Sequence, residues 1–204
     1  MMLRVKICGM QELAAAKAAE ECGADFIGFV FADSKRRIEV VQAAGIRRAL
    51  RRTQCVGVFV NESLQRVNEI AEEAGLDYVQ LHGQESAAYA RGVRRPVIKA
   101  FRWGDDFDLA QVQAYPAEYI LVDSFRAGKA GGTVQTFSWQ EAAPALRQLR
   151  KPWFLAGGLN AQNVLAAAAA LSPSAVDVSG GVEMAGRKSI EKIRQFMNVI
   201  RERS

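Results

Sequence analysis

Histidine is nearly absent from this chain, with His82 the single one among 204 residues. Metal sites of two or three histidines are therefore excluded within one chain, and any metal would need carboxylates. Cysteine is sparse as well. Cys8, Cys22 and Cys55 form an odd set without a C-x-x-C spacing, which argues against a disulfide framework and a zinc site built from cysteine pairs. Long apolar runs are missing. The longest, Val164 to Leu171, has eight residues, mostly alanine, whereas a membrane-spanning helix needs about twenty. The opening Met1-Met2-Leu3-Arg4-Val5-Lys6 puts charges where a secretory signal would be apolar, so a cytoplasmic location with no membrane partner is expected. No Pro-, Gly- or Ser-rich linker interrupts the chain, which reads as one domain over residues 1–204.

What is present is ordinary for a globular protein: 50% hydrophobic and 24% charged residues, with a mean hydropathy of -0.05. Twenty-seven basic residues against 22 acidic ones give +5 and a pI near 9.3, an excess that suits anionic ligands. Short β-branched or aromatic runs alternate with helical stretches along the whole length. The strand candidates are Leu3–Cys8, Asp25–Phe31, Cys55–Val60, Tyr78–Leu81, Val97–Phe101, Tyr119–Asp123, Trp153–Ala156 and Val176–Ser179. Between them the pattern predicts helices over Gln11–Cys22, Val40–Arg52, Glu62–Ala74, Glu85–Arg91, Asp106–Ala114, Trp139–Leu149, Ala161–Leu171 and Ser189–Arg201. The third helix takes Asn61 as N-cap and Gly75 as C-cap. Units of about 25 residues, wound by right-handed crossovers, close into a single-domain (β/α)8 TIM barrel. Gly23-Ala24-Asp25-Phe26-Ile27 echoes in Gly75-Leu76-Asp77-Tyr78-Val79, which supports the repeat. A doubly wound open sheet is the runner-up, but Cys8-Gly9-Met10 stands where its G-x-G-x-x-G turn would follow the first strand.

In such a barrel the chemistry sits at the carboxyl ends of the strands. The polar residues there are Lys6 and Cys8, Asp33 to Arg36, Asn61, His82, Arg102, Asp123, Gly157-Gly158, and Asp177 to Gly181. Gly157-Gly158 and Gly180-Gly181 follow the last two strands, where backbone N–H groups commonly hold phosphate; tight strand-to-helix turns are the plainer explanation. Cys8 reads either as a small buried apolar residue or as a reactive thiol, favoured by Lys6 two positions back and by the helix start after it. Asp123 ends an apolar strand, as an N-cap, a mouth salt bridge or a functional carboxylate. Cys22 and Cys55 fall at the opposite rim and read as structural.

Several stretches carry a more specific signal: Lys6-Ile7-Cys8-Gly9, Gly28-Phe29-Val30-Phe31 followed by Ser34-Lys35-Arg36, Val56-Gly57-Val58-Phe59-Val60-Asn61, Val79-Gln80-Leu81-His82-Gly83, Leu121-Val122-Asp123, Gly157-Gly158-Leu159, and Val176-Asp177-Val178-Ser179 with Gly181-Val182-Glu183. Together they resemble the phosphoribosylanthranilate isomerase family of tryptophan biosynthesis, in order from residue 4 to the terminal helix. The resemblance implies a metal-free barrel enzyme that turns N-(5-phosphoribosyl)anthranilate into 1-(2-carboxyphenylamino)-1-deoxyribulose 5-phosphate by an Amadori rearrangement. It implies Asp123 as general acid and Cys8 as general base, a thiolate if its usual pKa of about 8.5 is lowered locally. Arg36 matches the arginine for the anthranilate carboxylate, and His82 and Asp177 match pocket residues that position the substrate. Gly157, Gly158, Gly180 and Gly181 are expected to hold the phosphate.

The chain also departs from the family pattern. Gly131-Gly132-Thr133-Val134-Gln135-Thr136-Phe137-Ser138-Trp139 lacks a familiar glycine and lysine after the sixth strand, and Gly180 stands where a second serine is common. Another metal-independent phosphosugar isomerase on the same barrel is the alternative. A pentose-phosphate epimerase would need metal-binding histidines that one residue cannot supply. A nucleic-acid module using Arg47, Arg48, Arg51, Arg52, Arg91, Arg94 and Arg95 lacks interleaved aromatics, so no nucleic-acid partner is expected. The partner expected is a small phosphorylated molecule, with the chain a monomer or a homodimer.

Overall fold

Strands whose residues are apolar on both faces must be covered on both, and here one face is covered by helices and the other by the strands themselves. The computed structural model describes residues 3–104, 106–123 and 139–202. Within them β1 (Arg4–Cys8), β2 (Phe26–Val30), β3 (Gln54–Phe59), β4 (Tyr78–Leu81), β5 (Val97–Arg102), β6 (Tyr119–Asp123), β7 (Trp153–Ala156) and β8 (Ala175–Val178) form a closed barrel in chain order. Every neighbouring pair is parallel, and the seam between β8 and β1 sets Val5 against Val176 and Lys6 against Asp177. Around it run α1 (Leu13–Glu21), α2 (Val40–Ala49), α3 (Leu64–Glu73), α4 (Ala87–Arg91), α5 (Leu109–Ala114), α6 (Trp139–Leu146), α7 (Val164–Leu171) and α8 (Ile190–Arg201). The closed barrel replaces the runner-up open sheet.

Helix starts differ from the sequence expectation where a better cap lies nearby. Asn61 does not cap α3; Ser63 does, its side chain accepting from the Arg66 amide. Asn61 instead takes a left-handed φ of 51° and accepts from the Gln84 amide at 2.7 Å, tying the turn after β3 to the turn after β4. Asn tolerates that conformation because its short polar chain bonds locally. Gly75 does end α3 as expected, with a φ of +64° one residue beyond the Ala74 cap. Asp108 caps α5 through the Ala110 and Gln111 amides, so that helix begins later than Asp106. A short hairpin of β9 (Glu183–Met184) and β10 (Arg187–Lys188) was not foreseen; Ala185 and Gly186 turn it with φ of 49° and 79°.

Side chains alternate between barrel interior and helix layer. Val5, Ile7, Ile27, Phe29, Val79, Leu81, Ile120 and Val122 face out into the main core under the helices. Inside, Phe26, Tyr78, Tyr119 and Phe154 close the amino end edge to face, with centroids 5.2 to 6.2 Å apart, and the Arg4 guanidinium lies 4.1 Å over the Phe26 ring. Val56, Ile98, Leu121 and Ala156 fill the level above. This packing leaves the opposite, carboxyl end as the place where polar side chains can gather.

Candidate active site

β1 contributes two inward residues to that end. Cys8 closes the strand among Val30, Val58 and Ala32, and Lys6, one inward position below, has no exposed surface. Lys6 Nζ donates to Asp177 Oδ1 of β8 at 3.1 Å, across the seam that closes the barrel. Burial alone would lower the Lys6 ammonium, but Asp177 and the Cys8 sulfur raise it above its usual value. The expectation of a lowered Cys8 thiol is corrected. Burial pushes it up, and the facing Lys6 and Lys188 cations pull it down without cancelling that effect. Strand-end placement supplies cations, yet the same interior removes the water that would solvate a thiolate. Cys55 is buried in β3 and pushed up to about 12 by that burial, while Cys22 caps α1, so neither approaches Cys8.

Three strands round from β1, Asp123 ends β6 facing inward like Leu121 before it. His82, just past β4, brings Nε2 to 3.5 Å from Asp123 Oδ2. Gln80, inward on β4 and almost wholly buried, sets its amide nitrogen 2.9 Å from His82 Nδ1. With Gln80 donating to Nδ1, a neutral ring would carry its proton on Nε2, the nitrogen that faces Asp123. A cavity of about 400 Å³ opens beside the pair, lined by Asn61, His82, Gly83, Ala100, Arg102 and Asp123.

Arg36 reaches the same mouth from the segment after β2. Its Nε and Nη2 donate to the two oxygens of Glu183 at 2.6 and 3.0 Å, a bidentate fork on a protein carboxylate. Lys188 donates to the same carboxylate at 2.7 Å and also to Ser179 O and Oγ. Burial would raise Glu183, but these two cations bring it down to about 2. Gly9 makes room for Arg36: it has a φ of +79°, and a Cβ there would lie 2.5 Å from Arg36 Cδ. Sequence reasoning quoted Glu183 within Gly181-Val182-Glu183 but assigned it no role, and it passed over Lys188. The signal available was a charged residue just after a glycine turn.

The two glycine turns meet. Gly157 and Gly158 have φ of 96° and 67°, and a Cβ on Gly181 would fall 2.0 Å from the Leu159 carbonyl oxygen. Gly180 begins a single 3-10 turn, with Arg36 Nη2 3.7 Å from where its Cβ would be. The turns thus bring backbone of β7 and β8 together beside Arg36. The glycine and lysine departures at Val134 and Gln135 lie outside the described residues. Among the described residues no three His, Cys, Asp or Glu side chains gather as a metal site would require, and no helix is long and apolar enough to cross a membrane.

A closed (β/α)8 barrel whose thiol, carboxylates, imidazole and guanidinium converge at the strand carboxyl ends is a barrel enzyme of the acid–base kind. Comparison with known proteins narrows the class. A sequence model of the family described as N-(5'phosphoribosyl)anthranilate (PRA) isomerase matches residues 5–199. The chain is 45% identical to the N-(5'-phosphoribosyl)anthranilate isomerase of Bacillus cereus, covering 95% of this chain and 96% of that one. It is similar to the crystal structure of the Thermotoga maritima phosphoribosyl anthranilate isomerase, with a TM-score of 0.89, 37% identity and coverage of 98% and 100%. A phosphoribosyl anthranilate isomerase in complex with reduced 1-(o-carboxyphenylamino)-1-deoxyribulose 5-phosphate is likewise 37% identical, with a TM-score of 0.86 over 98% and 100% of the chains. The chain belongs to the N-(5'-phosphoribosyl)anthranilate isomerase family, and is an isomerase of tryptophan biosynthesis.

Proposed function

We propose that this barrel rearranges N-(5-phosphoribosyl)anthranilate with Asp123 as general acid and Cys8 as general base. Asp123 gives a proton to the ribose ring oxygen, the ring opens to a Schiff base, and Cys8 as thiolate takes the proton from C2. The resulting enolamine tautomerises to the ketone as C1 gains a proton and the C2 hydroxyl loses one, which returns Cys8 and Asp123 to their starting forms; substrate and product are isomers, so the reaction is neutral in protons and electrons. The reading rests on one observation above all: a thiol on β1 and a carboxylate on β6 both face the barrel interior at its carboxyl end. His82 steadies Asp123 from the β4 side. Arg36 meets the anthranilate carboxylate with the N–H groups left after two are given to Glu183. Asp177 lines the β8 side, and the backbone of Gly157, Gly158, Gly180 and Gly181 takes the phosphate. The reduced aminodeoxyribulose phosphate held by the 37% identical relative has the carboxylate and phosphate that these groups suit.

The test follows loss of anthranilate-type fluorescence on adding N-(5-phosphoribosyl)anthranilate. Wild-type protein consumes it, and Cys8→Ser lowers kcat by at least about a hundredfold while substrate still binds. Near-normal kcat in that variant would return Cys8 to an apolar packing role.

A further inference from the structure

Lys6 is charged, wholly buried and inward on the same strand as Cys8, two residues earlier. A buried ammonium needs partners, and Asp177 supplies one oxygen at 3.1 Å. The other neighbour is sulfur. A Cβ on Gly28, the β2 residue that pairs with Cys8, would lie 2.9 Å from Cys8 Sγ and 3.1 Å from Lys6 Nζ. The absence of that carbon is what lets sulfur and ammonium share one small space.

We propose that Lys6 is a positioning residue for the rearrangement: its ammonium, held by Asp177 on one side, faces the Cys8 sulfur on the other and stabilises the thiolate that takes the C2 proton. The inference rests on Cys8 as the base. Lys6 keeps its own proton throughout; sulfur alone is deprotonated and reprotonated. Facing that sulfur are Lys6 from β1, Asp177 from β8, Lys188 from β10 and the Arg36 guanidinium from the segment after β2, and Gly28, Val30, Val58 and Ala32 pack beside it. All three cations also meet a carboxylate, Lys188 and Arg36 at Glu183 and Lys6 at Asp177, but it is Lys6 whose ammonium shares with the sulfur the space that Gly28 leaves open. The first cause lowering the thiol is the Lys6 charge, ahead of Lys188.

The experiment titrates Cys8 in the substrate-free protein by carbamidomethylation with iodoacetamide across pH, read on the Cys8 peptide by mass spectrometry. The midpoint is the readout, because a thiolate of higher pKa is also the better nucleophile and the rate at one pH understates the change. Lys6→Gln keeps hydrogen bonding to Asp177 but removes the charge. Its midpoint is expected to rise by at least about one unit, tenfold less thiolate at a given pH below it. The acidic limb of the kcat profile moves the same way, with KM changed far less. Gly28→Ala, which wedges the two groups apart and leaves both charges, moves the midpoint in the same direction and decides the matter should Lys6→Gln fail to fold. A midpoint within about 0.3 unit of wild type in the folded variants overturns the inference. So does a raised midpoint with kcat unchanged. The titration stands whatever the role of Cys8, so a shifted midpoint beside an active Cys8→Ser would count against the proposed base and not against the coupling of Lys6 to sulfur.

Discussion

Lys99 and Lys6 are both buried beside carboxylates, and they are built differently. Lys99, on β5, donates to Glu85 at 2.8 Å, to Gly83 O at 2.6 Å and to Leu81 O at 3.4 Å. Glu85 in turn accepts from the Asn61 and Gly83 amides, and the Tyr115 hydroxyl donates to the Glu85 carbonyl. Every donor of that ammonium is met by oxygen. Burial would raise the Glu85 carboxyl, yet Lys99 and the amides hold it below its usual value. Lys6 has one carboxylate oxygen and a thiol. A closed network of this kind holds loops in place, whereas an ammonium with a titratable neighbour can respond to a change of charge.

The comparison is sharpest where stability is read first. Lys99→Met strands Glu85 and should cost about 3–5 kcal/mol in chemical denaturation, the usual result of removing one partner of a buried pair. The folded fraction should keep kcat within about threefold, because Lys99 lies outside the barrel mouth. A kcat loss as large as the stability loss would break the division between the two pairs. On the other side, Asp123→Asn should lower kcat by at least about a hundredfold with an unchanged unfolding midpoint. Combined with Cys8→Ser, it should be little worse than the poorer single variant, since residues serving one reaction are strongly non-additive. Full multiplicativity of the two losses would show that they serve separate steps.

Smaller effects belong to the Arg36 and Glu183 cluster. Arg36→Lys should raise KM about tenfold and leave kcat within about twofold, because a single ammonium cannot serve Glu183 and a substrate carboxylate as a fork does. A collapsed kcat at constant KM would remove Arg36 from the binding role. The weakest signal is acid stability. The Glu183 carboxyl sits at about 2 in the folded barrel against 4.5 for an ordinary glutamate, so the unfolded chain takes up its proton first as pH falls. Its contribution is present above the unfolded value and lost as pH falls through that window toward 2. Thermal unfolding between pH 5 and 2.5 should therefore fall more steeply for wild type than for Glu183→Gln, and parallel curves would show that the cluster adds nothing.

Much of the site was legible in the chain because strands and their ends are local. Cys8, His82 and Asp123 each stand at or just past the end of an apolar run, and in a barrel those ends share one face. The hairpin of β9 and β10 was not legible, since two-residue strands carry too little pattern to register. Nor was the α3 cap. Asn61 and Ser63 are both good capping residues, and the choice between them depends on a contact to Gln84 that only the neighbouring turn provides.

The sequence by itself determined the barrel, the family and the order of the polar strand ends, because apolar periodicity and short motifs are properties of contiguous residues. Tertiary structure alone decided which charges meet. Lys6 finds Asp177 across 171 residues and Arg36 finds Glu183 across 147. Closure of β8 on β1 makes the first pair, and the turn that lays Gly181 against Leu159 accompanies the second. It also decided the state of Cys8. A thiol beside a lysine reads in sequence as one made acidic, but the closed barrel removes its water, and desolvation outweighs the neighbouring charge.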